Sequence, residues 1–236
     1  MEEQELLKIV TEYFRVKIFE NHKNNVLRNH TKLKSYKINP IIVKYLSKVL
    51  EDDFTPLGIA KALFFPRVLG TSINTAFGTR IQNMFVELGL ADGSLIPGMD
   101  IEFVDKVDGQ KKWCQLKSGP NTINSEDVRP LLNKFSKVLY LARTNAFKIS
   151  NNNLILGVLY GDRDQLSQHY LKIDKEHPVI IGKDFWHRIT GYPNFYSELV
   201  KELDLMIINI DTEDFFKKGY TALAEEIENS SLFTFS

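Results

Sequence analysis

Two acids, an amide and a lysine fall at alternate positions of two short runs: Asp100 and Glu102 in MDIEFVDKV, and Gln115 and Lys117 in QKKWCQLK. The dipeptide Asp108-Gly109 separates the runs. Asp-Gly between stretches of alternating polarity is a strong hairpin signal, and a two-residue turn fixes the register. With that turn at the tip, Val107 faces Gln110, Asp100 faces Lys117 and Glu102 faces Gln115, while strand alternation puts all four polar side chains on one face. Ile101, Phe103, Cys114 and Leu116 make the opposite, apolar face. An exposed sheet face carrying cross-strand ion pairs would show the same residues. The set also matches what metal-assisted phosphodiester hydrolysis requires. Carboxylate and neutral oxygens hold Mg²⁺, and an ammonium positions water or offsets charge at the phosphate. Asp100 is then the principal ligand, and the backbone carbonyl of Leu116 offers a second oxygen.

A hairpin can hold such a face only if helices cover its apolar side. Residues 2–20 place Leu6, Leu7, Ile9, Val10, Tyr13, Phe14 and Ile18 at helical spacing, and Pro40 opens a second helix, IIVKYLSKVL. Pro56, Gly58, Pro66 and Gly70 punctuate a loop-rich connection, after which TSINTAFGTRIQNMFVELGL reads as a helix capped by Thr71 or Ser72. Its apolar face carries Ile73, Phe77, Ile81, Phe85 and Leu88. Beyond the hairpin come the polar loop SGPNTINSE and a helix over about 127–145. NLILGVLYG is a continuous apolar run of the kind that forms a buried central strand. Helical segments KDFWHRIT and FYSELVKEL flank Gly191-Tyr192-Pro193, and an amphipathic tail runs over about 213–228. The order predicts an α/β fold with a helical N-terminal addition. Residues 1–69 form the helical region packed on the core, residues 70–236 the core with its C-terminal helices, and the whole is one structural unit.

PGMD at 97–100, fourteen intervening residues and QLK at 115–117 resemble the PD-(D/E)XK nuclease signature, with Gly98 and Met99 inserted between Pro97 and Asp100. The superfamily core of helix, strand, strand hairpin, helix and strand matches the order from Thr71 to Gly161. The helix AFGTRIQNMF stands where such nucleases often carry a glycine followed by an acid, here replaced by Gln82. QLKSGPNTIN and GKDFWHRITGYPNFY are similar to stretches of type II restriction endonucleases, especially those cutting GGNCC-like sites. The resemblance covers residues 70–200. It implies a central mixed sheet flanked by helices and Mg²⁺-dependent, site-specific cleavage of double-stranded DNA. It also implies catalytic residues Asp100, Gln115 and Lys117, and a metal held by Asp100, Gln115 and the Leu116 carbonyl, with Glu102 and Gln82 as further candidates. A two-fold DNA site is most simply matched by a homodimer.

Where the family pattern most often has Glu or Asp, this chain has Gln115, which can give an oxygen but no charge. Metal affinity is then lower unless Glu102 contributes. Members resembling methylation-dependent restriction nucleases also have glutamine there, so two alternatives stand. One is a repair or methylation-dependent nuclease of the same superfamily, the other a DNA-binding protein whose nuclease site has decayed.

The loop after Lys117 places Ser118, Asn121, Thr122 and Asn124 where DNA must lie, suited to phosphate positioning or base contact. The chain's zero net charge hides a basic window, Arg15 to Lys48, with nine bases against one acid. Lys32 and Lys34 within it are candidate DNA contacts, although a solvated helix face gives the same count. From Glu198 to Ser236 the balance inverts to nine acids and three lysines. Histidines lack ligand spacing, the single Cys114 makes neither disulfide nor zinc cluster, and no phosphate-binding glycine motif occurs, so no nucleotide cofactor is expected. Apolar runs are too short to span a bilayer and the N-terminus MEEQELLK lacks a signal region, which predicts a soluble, cytoplasmic protein.

Overall fold

The computed structural model describes residues 1–145, 148–210, 213–230 and 232. Its contacts divide the chain into two units, Met1–Thr11 with Gly78–Asp204 and Glu12–Phe77 with Leu205–Ser236. In chain order the elements are α1 (Glu3–Tyr13), α2 (Asn21–Asn29), α3 (Pro40–Glu51), α4 (Pro56–Phe65), α5 (Ile73–Glu87), β1 (Asp92–Gly93), β2 (Ile101–Val104) and β3 (Lys111–Lys117). They continue as α6 (Ser125–Thr144), β4 (Leu154–Val158), α7 (Gln168–Asp174), β5 (Val179–Ile181), α8 (Gly182–Thr190), α9 (Phe195–Ile208) and α10 (Glu213–Glu228).

The first unit is α/β. Its sheet has the order β1-β2-β3-β4-β5, antiparallel from β1 to β3 and parallel from β3 to β5, so it is mixed. Every residue of β4 is buried, as its unbroken apolar sequence requires of a strand covered on both faces. Gly157 is the reason α8 can come so close: a Cβ there would stand 2.5 Å from the Phe185 ring and 2.8 Å from Cys114 Sγ. Leu131, Phe135 and Val138 of α6 pack on Leu154, Leu156 and Val158 of β4. Asn124 caps α6 through a reciprocal bond with Asp127, which fixes where the helix starts after the loop.

The second unit is helical. Phe64 of α4 meets Phe216 of α10 edge-on, 5.2 Å between ring centroids, over a core that includes Val26, Ile59, Leu223 and Ile227. The expected loop-rich connection between Asp52 and Gly70 is instead α4 followed by a π-helical turn, Pro66–Ser72, leading into α5. Thr55 caps α4 by accepting from Gly58 N–H, and Pro56 opens it, where a missing N–H costs nothing, whereas Pro66 stands inside the helical run, where α4 passes into the π-helical turn. The expected division at residues 69 and 70 is not the one the contacts make. The α10 stripe Phe216, Tyr220, Leu223 and Ile227 packs with α4, so the C-terminal helix groups with the early helices. Strands β1 and β5 and helix α7 were not expected from the sequence.

The hairpin forms, but two residues out of the predicted register. Ile101 pairs with Cys114, Glu102 with Trp113 and Val104 with Lys111. Its loop is four residues long, closed by Asp105 N–H donating to Gln110 C=O at 3.0 Å. Gly109, at φ +71°, donates its N–H back to Asp105 C=O at 2.8 Å. The wholly buried Asp105 carboxylate decides the loop, accepting from Val107 N–H at 2.9 Å and pairing with Arg188 of α8 at 2.6 Å. A slip of one residue exchanges the faces of a strand, whereas a slip of two preserves them. Asp100, Glu102, Gln115 and Lys117 therefore still share one face, with Asp100 now level with Gln115 rather than Lys117.

Candidate active site

Asp100 stands just before β2, where that strand leaves the edge of β3 uncovered. Its Oδ2 accepts from Leu116 N–H at 2.7 Å and from Gln115 Nε2 at 3.3 Å, while its own N–H donates to Cys114 C=O at 2.9 Å. A strand residue directs its N–H and C=O to the same side, so the Leu116 carbonyl also faces the Asp100 side. Asp100 Oδ1 accepts no hydrogen bond among the described residues. Gln82, on α5, donates Nε2 to the Asp100 carbonyl at 3.3 Å and ties that helix to the start of β2. Lys117 ends β3 on the same face, half-buried, and no side-chain hydrogen bond or ion pair engages its ammonium among the described residues.

Gln115 is buried, and its amide is turned in a definite sense: Nε2 toward Asp100, and Oε1 toward the Lys134 ammonium of α6 at 3.4 Å. Lys134 is a site residue that sequence reasoning missed. It lies on the polar face of α6 beside Asn133 and Lys137, and nothing in the sequence separates it from them.

Glu102 shares the face but is turned to the sheet edge. Its carboxylate accepts from Ser94 Oγ and pairs with Lys111 Nζ, each at 2.7 Å. Burial would raise its pKa, but Lys111, Ser94 and a backbone N–H together hold it below the ordinary glutamate value. The pair's contribution is therefore complete above the usual glutamate range and is lost as pH falls through the lowered pKa. Replacing Glu102 by Ala is expected to cost about 1 kcal/mol, kept small by solvent at Lys111. DNA cleavage should not change; denaturant midpoints and a cleavage assay check the two halves of this prediction.

The loop after Lys117 is built around Gly119. Its carbonyl accepts from Thr122 Oγ1 at 3.1 Å and from Tyr170 OH at 2.8 Å, and the two hydroxyls lie 2.9 Å apart. Burial pushes the Tyr170 phenol up to about 12, so it stays a hydrogen-bond donor at neutral pH. Thr122 is thus engaged in the loop, and the Asn124 amide oxygen in the cap of α6. Ser118, next in the chain to Lys117, is half-buried, and Asn121 is exposed. Lys32 and Lys34 are exposed at the short 3₁₀ turn Leu33–Ser35 of the second unit.

Among the described residues no group of three or more His, Cys, Asp or Glu gathers as a metal site, and no helix is long and apolar enough to cross a membrane. The donors at Asp100 are instead one carboxylate oxygen and a backbone carbonyl, the Gln115 amide oxygen being turned to Lys134. Mg²⁺ accepts such a hard, sparse set when substrate phosphates and waters complete its shell, so these residues fit that ion.

A search of curated proteins finds no match to the chain. The family model for Type II restriction endonuclease EcoO109I matches residues 10–209, which takes in the sheet, the residues around Asp100 and most of the helical unit. The chain belongs to this family of type II restriction endonucleases, site-specific deoxyribonucleases that bind double-stranded DNA.

Proposed function

We propose that this enzyme cuts both strands of a short palindrome of the GGNCC kind by Mg²⁺-dependent hydrolysis at Asp100, Gln115 and Lys117, acting as a homodimer. One observation carries the reading. The Asp100 carboxylate, the Leu116 peptide group and the Gln115 amide converge at the open edge of β3, with Lys117, unpaired among the described residues, on the same face. When bound, Mg²⁺ supplies a Lewis acid for the scissile phosphate and acidifies a water. Asp100 would hold it through Oδ1, with the Leu116 carbonyl beside it. Leu116 N–H and the Gln82 amide fix Asp100 in place, so the carboxylate need not reorganise when DNA arrives. Lys117 would hold the attacking water and offset the charge that develops on the phosphate oxygens. Ser118 and Asn121 would position the DNA backbone beyond it.

Phage DNA incubated with the enzyme and Mg²⁺ is expected to give discrete bands. Random nicking would favour a repair nuclease, cutting confined to methylated DNA a methylation-dependent one, and a gel shift without cutting a decayed site. Binding should weaken steeply with salt through counterion release. If Lys32 and Lys34 touch phosphates, replacing both by Ala lowers the slope of log K against log salt by about 2. An unchanged slope returns them to the solvated surface.

A further inference from the structure

Two departures from the nuclease signature meet at one lysine. The first is the neutral Gln115 where an acid is usual. The second is the pair Gly98-Met99 inserted ahead of Asp100. Gly98 has φ +94°, and a Cβ on it would lie 3.2 Å from both Cγ and Cδ of Lys134. The inserted glycine thus lets the Lys134 stem lie close against the loop that carries Asp100, which aims the ammonium at Gln115. An ammonium has only donors, so the amide atom it faces must be the oxygen. The amide nitrogen is thereby turned onto Asp100 Oδ2. A glutamine so held gives Asp100 a second N–H donor and withholds its own oxygen from any cation at that carboxylate.

We propose that Lys134 is a positioning residue: it fixes the Gln115 amide as a hydrogen-bond donor to Asp100, so that Gln115 orients the carboxylate and does not ligate the metal. This rests on the reading of Asp100 as the metal-binding carboxylate. Lys134 touches neither metal nor phosphate on this account, and acts through Gln115. Removing its donor frees the amide to turn over and present oxygen to the ion, so the metal should bind more tightly.

The probe is Mn²⁺ titrated into the DNA-free full-length enzyme and followed by the electron paramagnetic resonance of free ion, with circular dichroism confirming the fold of each variant. Lys134→Met is expected to tighten Mn²⁺ binding about fivefold or more, and Lys134→Arg, which keeps a donor, to stay within about twofold of wild type. In a Gln115→Ala background the same Lys134→Met change should alter binding by less than about twofold, because a positioning effect is coupled to the group positioned. The Mg²⁺ concentration for half-maximal cleavage should fall in parallel for Lys134→Met. Equal gains with and without the Gln115 amide would reduce Lys134 to a repelling charge and overturn the proposal, as would no gain at all. Asp100→Ala separates the two readings. If it leaves Mn²⁺ binding unaltered, the site assignment itself fails; if it abolishes binding while the Lys134 and Gln115 changes prove independent, only the positioning role fails.

Discussion

Replacing Lys117 or Asp100 by Ala is expected to lower the single-turnover cleavage rate by about 10³-fold or more, while specific DNA is still bound within a few-fold of wild-type affinity. The asymmetry follows from what the two groups reach. Both stand at the open edge of β3, and neither is part of the loop or basic window from which base or phosphate contacts are drawn. Lys117 has no partner among the described residues, so its removal leaves no buried carboxylate unpaired and should barely alter stability. Asp100 accepts two N–H donors, and its loss strands Leu116 N–H at the strand edge, where water can reach a half-buried position. Cleavage under excess enzyme and gel shifts of the same duplex separate rate from binding. A Lys117→Ala or Asp100→Ala enzyme that cuts near the wild-type rate would remove this edge from the chemistry.

That Asp100, Glu102, Gln115 and Lys117 share one face was legible because it depends only on the alternation of side chains, which a shift of two residues leaves intact. The register was not, because it depends on Asp105. In sequence that residue looks like one more acid at a strand end, and its meaning comes from Arg188, eighty-three residues later, which neutralises it inside the protein. The cross-strand partner of Glu102 was hidden for the same reason: in the predicted register it faces Gln115, in the observed one Trp113, and its carboxylate meets Lys111 and Ser94. The helix α6 was legible from its long periodic apolar pattern, and strand β4 from a short unbroken apolar run. The strand β5, only Val179–Ile181, is too short to show a period, and gains its place by pairing with β4. The stretch around Pro56 and Pro66 misled for two reasons: Pro56 starts a helix, as the capping hydroxyl of Thr55 signalled, and the helical backbone runs on through Pro66 into the π-helical turn instead of ending there. Lys134 had no sequence signal. Its role comes from a lysine stem lying on a glycine of another segment, which only the folded chain brings together.

Arg188→Ala is expected to be the most destabilising of these changes, by about 3 kcal/mol, at the low end of what breaking a buried ion pair costs. Asp105 is fully buried, and Arg188 retains 30% side-chain exposure, so water entering the space left by the guanidinium can recover part of the loss. Three features make the pair costly to break. The Asp105 carboxylate also holds Val107 N–H, Arg188 reaches Asp108 at 3.5 Å as well, and Lys106 N–H donates to the Arg188 carbonyl at 2.8 Å, so the hairpin loop and α8 are joined at several points. The backbone bond survives the substitution, and β2 stays paired with β3, so the Asp100 and Gln115 alignment should persist in the folded fraction. Cleavage well below the unfolding temperature should then remain within a few-fold of wild type, while the urea midpoint falls. Adding Asp105→Asn to Arg188→Ala should recover part of the stability, because the amide keeps an oxygen for Val107 N–H and removes the stranded charge. A midpoint unmoved by Arg188→Ala, or a double variant less stable than the single one, would show that the Asp105 charge is not what holds this loop.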